Sequence, residues 1–295
     1  MNLPANLPPW SVAGRRVVIT GATNGIGLAA AEALAQRGAH LTLVGRSEAR
    51  AAEAAARVQA AEGGGTPPDV MIADLSSQAE VRRLAVGLLE RYRRIDVLAN
   101  NAGAQFTTRR LTTDGIEATW ALNHLAPFLL TNLLLDRLKQ NPLARIVTTS
   151  SDAHRRARIP LDDLDAERSY GRGFSRYGET KLANILFTAQ LARFLEGSGV
   201  TANCFHPGLV ATGFGRDSGP LGRLALAAIR PFSRSPEKGA ETLVWLADSP
   251  EVAGESGGYF VDRRRVAPSA AGRDMAAALR LWEVSGQQTM ERPAA

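Results

Sequence analysis

Cysteine is nearly absent from this 295-residue chain, in which Cys204 stands alone. A single thiol excludes an intrachain disulfide and a multi-cysteine metal site, and it suits a reducing compartment. His124, His206 and Cys204 show no spacing that specifies metal ligation either, so no metal is expected. Lysine is almost as scarce: Lys139, Lys181 and Lys238 are the only three, and arginine carries nearly all the positive charge. Long apolar runs are missing as well. Nothing approaches the ~18 uninterrupted apolar residues of a membrane-spanning helix, and Met1 to Trp10, with its two Asn and three Pro, holds no signal-peptide core. The reading is a cytoplasmic protein with no transmembrane segment.

The composition that remains is that of a folded domain, with 45% apolar and 22% charged residues. The net charge of +6 is dispersed. Arg168, Arg172 and Arg176 are interrupted by other residues, and Arg263 to Arg265 make only a short run, so no stripe for nucleic acid is formed. An anionic cofactor and solvated surface account for the charge.

Short apolar runs alternate with helical patterns from Arg16 onward. Strands are expected at 17–20, 41–44, 70–73, 95–99, 145–149, 200–205 and 258–261, with helices near 25–37, 48–61, 116–138 and 175–195 and another ending at Glu90. This predicts an α/β, Rossmann-type, doubly wound fold: a mostly parallel seven-stranded sheet with helices on both faces, in a single domain. Residues 1–13 read as an N-terminal extension and 14–295 as the domain. Within it, 213–235 lacks sheet patterning and carries an apolar stretch, which suggests a substrate loop or lid.

Chemistry concentrates at the ends of the expected strands. Thr20-Gly21-Ala22-Thr23-Asn24-Gly25-Ile26-Gly27 lies between the first strand and the first helix, where backbone N–H groups and the helix dipole can hold a pyrophosphate. Gly21 permits the turn, Gly25 lets the backbone approach phosphate, and Gly27 allows close packing of the helix. Tyr177 and Lys181 are spaced i, i+4, which puts both on one helix face. A phenol with a pKa near ~10 is a poor base at neutral pH until a close cation stabilises its ionised form, and Lys181 can be that cation.

The Thr-Gly-x-x-x-Gly-x-Gly turn, Asn100-Asn101-Ala102-Gly103 and the Tyr177/Lys181 pair together resemble the short-chain dehydrogenase/reductase family. That resemblance spans Gly14 to about Ser285. Arg230 to Pro236, Ser256 to Phe260 and Leu281-Trp282-Glu283 are most similar to its retinol dehydrogenase and WW-domain oxidoreductase branch. It implies an NAD(P)-dependent oxidoreductase in which Asn123, Ser151, Tyr177 and Lys181 form a catalytic tetrad. Ser151 would bind the reacting oxygen, Tyr177 would exchange its proton, Lys181 would also bond the nicotinamide ribose, and Asn123 would position a relay water. Ser150 remains an alternative to Ser151, because adjacent strand residues face opposite sides.

The same resemblance implies cofactor contacts from Gly21, Thr23, Asn24, Gly25, Ile26 and Gly27, from Asp74 and Leu75, and from Asn101, Ala102 and Gly103. Tyr177, Lys181, Pro207, Gly208, Val210 and Thr212 complete that set. Asp74 could instead be a helix cap, and Asn100-Asn101 a turn that braces the sheet. After the second strand an NAD enzyme generally places an acid for the ribose hydroxyls, whereas this chain has Gly45-Arg46. Arg46 can pair with a 2′-phosphate, which favours NADP over NAD; its alternative is a solvated residue at a helix start.

His154 follows the serines, yet no Gly-x-Ser-x-Gly elbow surrounds them, so His154, His124, His206 and Cys204 are expected in packing or loop roles. The apolar Leu221, Leu224, Leu226, Ile229 and Phe232 suggest a hydrophobic aldehyde, ketone or secondary alcohol as substrate, or equally a packing role over the sheet. Rival readings are a non-catalytic NADP-sensing regulator and a sugar-nucleotide epimerase or dehydratase on the same fold. Homo-oligomer formation is left open.

Overall fold

The structure, a computed structural model, describes residues 10–170, 173–210 and 233–290. Its helices in chain order are α1 (Gly25–Ala35), α2 (Glu48–Ala61), α3 (Gln78–Arg91), α4 (Ala118–Trp120), α5 (Ala126–Lys139), α6 (Phe174–Phe194), α7 (Pro236–Asp248) and α8 (Met275–Thr289). The strands are β1 (Arg16–Thr20), β2 (His40–Gly45), β3 (Asp69–Ile72), β4 (Val97–Asn100), β5 (Arg145–Thr149), β6 (Thr201–His206), β7 (Tyr259–Val261) and β8 (Arg264–Val266). They form one sheet in the order β3-β2-β1-β4-β5-β6-β7-β8, parallel except for β8.

The strand sequences fit this sheet because alternate residues enter opposite cores. Val17 and Ile19 of β1, with Val97, Ala99 and Val147, pack under α1, α2 and α7. Val18, Leu98 and Ile146 pack on the other face, under α3, α5 and α6. Burial on both faces makes these strands read as continuous apolar runs. The Ala-rich α1 has little side-chain bulk, which lets it lie close to the sheet.

The eighth strand corrects the expected seven. Asp262 and Arg263 both take positive φ, 49° and 62°, and form a two-residue turn between β7 and β8. Such turns are usually signalled by Asn or Gly, and neither is present. Arg264 and Arg265 are exposed at the sheet edge, so β8 carries no apolar run and reads as basic surface. The helix expected over 116–138 is also interrupted. Between α4 and α5, residues Ala121–Leu125 form a π-helix in which the Ala126 amide donates to Ala121 O, five residues back.

The described end of the N-terminal extension is packed. Trp10 Nε1 donates to Ala247 O at 2.8 Å, at the carboxyl end of α7. The buried Arg145 guanidinium lies 4.1 Å from the Trp10 ring centroid and donates to Leu246 O and Ser249 O at 2.9 and 2.8 Å. Burial lowers the Arg145 pKa to about 9, and the carbonyls of the helix end receive its charge. Among the described residues, no helix is long and apolar enough to cross a membrane.

Candidate active site

β1 and β4 are neighbours, and the chain winds outward from them in opposite directions. The resulting crevice at the carboxyl ends of the strands is where a doubly wound sheet binds ligand. The β1–α1 turn, Arg46 after β2, Asp74 and Leu75 after β3, Asn101 to Gly103 after β4, Ser151 after β5 and Pro207 to Val210 after β6 all lie at this edge. Thr212 and the apolar residues 221–232 lie outside the described residues, as does most of the segment read as a lid. The near flanks of that segment are tied together, since Val210 pairs with Arg234 and the Arg234 amide donates to Leu209 O at 2.7 Å.

The glycines of the first turn have distinct steric reasons. Gly21 has φ +65°, and a Cβ there would stand 2.8 Å from Ala102 Cα. A Cβ on Gly27 would stand 2.3 Å from Gly21 O and 2.5 Å from Asn101 Nδ2, so this glycine packs helix against turn rather than helix against sheet in general. Asn101 braces the same turn, with Nδ2 donating to Thr20 O at 3.0 Å and to Gly21 O at 3.3 Å. Asn24 does not cap α1 with its side chain. Backbone donors of the first helical turn are therefore left for an anion, as in a phosphate cradle.

Arg46 is exposed, and the structure records no acid paired with it among the described residues. Gly45 has its own reason, because a Cβ there would meet Thr23 Cγ2 at 2.3 Å. Asp74 is exposed, and its Oδ1 accepts from the Ser76 amide and hydroxyl at 3.0 and 2.7 Å. Asp74 thus stabilises the turn ahead of α3 and does not cap that helix, whose N-cap position is Ser77; among the described residues its other carboxylate oxygen has no hydrogen-bond partner.

The two serines separate cleanly. Ser150 is fully buried and donates to Lys181 O at 2.8 Å, so its hydroxyl is spent inside the fold. Ser151 hydrogen-bonds Tyr177, and its Oγ accepts from the Ala153 amide at 3.2 Å. Gly178 makes this approach feasible: a Cβ there would stand 2.9 Å from Ala153 O. Burial raises the Tyr177 pKa above that of an ordinary phenol, and the Ser151 contact offsets this only partly. Tyr177 consequently carries its proton at neutral pH.

Lys181 is buried, with Nζ donating to Thr149 O at 3.1 Å and lying 5.3 Å from the Tyr177 ring centroid. Desolvation lowers its pKa to about 8. Its cation is thus held at the strand end beside the phenol ring. Gly103 abuts both Lys181 and Asn123: a Cβ there would stand 3.5 Å from Lys181 Nζ and 3.2 Å from Asn123 Oδ1. Asn123 sits in the π-helix and clamps the loop after β4, donating to Ala104 O at 2.9 Å and accepting from the Ala104 amide at 2.8 Å. π-Helical turns are frequent at functional sites because they re-aim side chains and carbonyls.

The histidines take loop and packing positions. His154 Nε2 accepts from the Ser269 amide at 3.1 Å, which makes Nδ1 the donor to Ser151 O at 2.7 Å. His206 Nδ1 accepts from the Asp152 amide at 3.3 Å, and Tyr259 donates to Asp152 Oδ1 at 3.0 Å. These contacts hold the turn that carries Ser151. Cys204 is buried, which pushes its thiol up to about 12 and leaves it inert.

Sequence reasoning passed over Gly178, Asn184 and the Glu117–Arg176 pair. Glu117 and Arg176 are 0% and 1% exposed and meet at 2.8 Å, joining the residue before Tyr177 to the start of α4. A glycine between Tyr177 and Lys181, and an Asn one turn beyond on the same face, were the available signals.

This geometry is that of a nucleotide-dependent α/β dehydrogenase. Residues 15–220 match the short chain dehydrogenase family model, and the chain belongs to that family. It is 44% identical over 280 residues to DnrU of Streptomyces sp. (strain C5), provisionally named a daunorubicin C-13 ketoreductase; the match covers 94% of this chain and 93% of that one. It is 42% identical over 295 residues to retinol dehydrogenase 14 of Homo sapiens, covering 94% and 87% of the two chains. The active-site complex of Pseudomonas aeruginosa RhlG with NADP superposes with a TM-score of 0.66 at 28% identity, over 86% of this chain and 98% of that one. The protein is an oxidoreductase of the kind that interconverts C–OH and C=O groups by hydride transfer with NAD(P).

Proposed function

We propose that the protein is an NADP(H)-dependent reductase and dehydrogenase of hydrophobic carbonyls and alcohols, with Ser151, Tyr177, Lys181 and Asn123 as its catalytic groups. The observation that carries this reading is the Ser151–Tyr177 hydrogen bond beside the buried Lys181 amine, at the carboxyl edge of the sheet.

The cradle fits a dinucleotide: glycines pressed against Ala102 and Asn101 keep side chains out of it, and the start of α1 is not capped by Asn24. Gly21, Thr23, Asn24, Gly25, Ile26 and Gly27 would hold the pyrophosphate. Asp74 and Leu75 would face the adenine, and Asn101, Ala102, Gly103, Tyr177 and Lys181 the nicotinamide ribose. Pro207, Gly208, Val210 and Thr212 would border the nicotinamide. Arg46 would take a 2′-phosphate, and its exposure without a competing carboxylate supports NADP over NAD. When bound, the cofactor supplies or accepts the hydride.

The chain's own groups manage the proton. Ser151 Oγ–H would donate to the substrate oxygen, and the Tyr177 phenol, protonated at neutral pH, would deliver its proton to that oxygen during reduction. In oxidation the same phenolic oxygen receives the proton. Lys181 Nζ, held by Thr149 O, supplies positive charge that favours the phenolate formed in reduction.

Phe174, one turn before Tyr177, and Leu209, after β6, are exposed apolar side chains that suit a hydrophobic substrate. The names of DnrU and retinol dehydrogenase 14 carry a ketone reduction and an alcohol oxidation, which supports carbonyl and alcohol chemistry for this chain. The buried free thiol of Cys204 suits the reducing cytoplasm. The test is an NADPH-dependent screen of aldehydes and ketones with the parent protein and Tyr177→Phe. Turnover of apolar carbonyls that Tyr177→Phe abolishes, with NADPH affinity retained, is expected. Full turnover by Tyr177→Phe would overturn the mechanism.

A further inference from the structure

Asn184 lies one turn after Lys181 on α6 and is 2% exposed. Its Nδ2 donates to two carbonyls, Asn123 O at 2.9 Å and Thr149 O at 3.2 Å. Thr149 O is also the acceptor of Lys181 Nζ. One amide group therefore joins the π-helix that carries Asn123 to the carbonyl that seats Lys181.

The direction of this amide is fixed by its partners. A flipped Asn184 would set Oδ1 against two carbonyl oxygens, so Nδ2 faces them and Oδ1 faces away. Oδ1 meets His124 Nδ1 at 3.4 Å, and His124 Nε2 meets Ser285 Oγ at 2.8 Å. Since Oδ1 only accepts, His124 Nδ1 carries the proton and Nε2 accepts from the Ser285 hydroxyl. His124 is enclosed by Trp120, Phe128 and Phe187, with ring centroids 4.6, 6.3 and 6.4 Å away. Burial holds its pKa down to about 3, with a smaller push from Arg176, so the ring is neutral at every working pH. Each group in the line from Ser285 to Thr149 O has one available orientation.

We infer that Asn184, oriented by His124 and anchored by Ser285 on α8, is a positioning residue for the reaction. It locks Asn123 and the Thr149 carbonyl in register, so that Lys181 and Tyr177 meet the substrate in one geometry. The inference rests on the proposed Tyr177/Lys181 chemistry. The charged and titratable groups around the line are Lys181 and Tyr177 on α6 and the buried Arg176, which is paired with Glu117 at 2.8 Å and with Glu179 at 3.0 Å. The line itself is uncharged and acts through orientation.

The test compares His124→Asn with His124→Leu, since an Asn amide can replace the Nδ1 donor and Leu cannot. With saturating NADPH and an apolar ketone, His124→Leu and Asn184→Leu are each expected to lower kcat about tenfold. His124→Asn should stay within about threefold of the parent, and the double Leu variant should be little worse than either single one. NADPH affinity, followed by nucleotide fluorescence, should change little. Loss in His124→Asn as great as in His124→Leu, or fully additive losses, would overturn the inference. If the Leu variants do not fold, Ser285→Ala decides: a fall in kcat of about threefold at unchanged NADPH affinity is expected, and an unchanged kcat overturns it. A 15N spectrum of the parent should show the neutral, Nδ1-protonated imidazole, and an Nε2-protonated ring would also overturn the inference. Tyr177→Phe runs alongside: its retention of activity would sink the proposed chemistry, whereas its loss together with inert His124 and Asn184 would sink this inference alone.

Discussion

Gly178 lies directly against Ala153, with room for no side-chain atom between α6 and the turn after β5, where a Cβ would stand 2.9 Å from the Ala153 carbonyl oxygen. The contact sets how near Tyr177 comes to Ser151. A methyl group there must push the turn or the helix away. Gly178→Ala is expected to lower kcat by about tenfold to a hundredfold while far-UV circular dichroism is retained, because small displacements of reacting groups are costly. Steady-state kinetics with the parent's own best carbonyl would check this, and an unaltered kcat would contradict the close-approach argument.

Arg46 is expected to discriminate between the two nicotinamide cofactors. Arg46→Ala removes charge-assisted hydrogen bonds to a 2′-phosphate and should weaken NADPH binding roughly tenfold to a hundredfold. NADH binding should hardly change. Parallel fluorescence titrations give both affinities, and equal losses for the two nucleotides would remove Arg46 from the 2′-phosphate site.

Lys181 illustrates a site that costs stability. Its pKa falls from 10.5 to about 8 on burial, so the unfolded chain holds the proton more tightly than the folded one. Below pH 8 the penalty is complete, about 3 kcal/mol from that shift, and it vanishes above the unfolded value of 10.5. Lys181→Met should therefore be inactive yet melt at a higher temperature than the parent at pH 7. The gap should narrow as pH rises from 8 to 10.5. Scanning calorimetry across that range is the measurement, and a less stable Lys181→Met at pH 7 would contradict the sign.

Arg176 is sealed from water between Glu117, 2.8 Å away, and Glu179, 3.0 Å away, so removing the guanidinium leaves the buried Glu117 carboxylate uncompensated. Arg176→Met is expected to lose about 3–5 kcal/mol in urea unfolding. Adding Glu117→Gln should restore a large part of that loss. A single variant as stable as the parent would show that the pair does not hold α6 to α4.

Much of this is legible in the sequence alone, because Val17-Val18-Ile19 and its counterparts are buried on both faces and announce themselves as apolar runs. The glycine turn and the Tyr177/Lys181 spacing were equally plain. β8 was not, since its residues are charged and its turn uses Asp262 and Arg263 in place of Asn and Gly. The π-helix around Asn123 was hidden too, as one extra residue in a helical turn leaves the apolar pattern nearly intact. Asn184 is not singled out by the sequence, and His124 reads only as a packing or loop residue, for another reason. Their importance lies in which carbonyl or ring nitrogen each faces, and residue type does not encode that.

Trp282 on α8 lies 5.0 Å from Phe128, 5.8 Å from Phe187 and 4.8 Å from Phe194, ring centroid to ring centroid. Its indole is wedged like a keystone between α5 and α6, two helices that also frame the site. The same wedge makes the last helix part of the working core: loosening it would unseat Ser285 and, through His124, the geometry around Lys181.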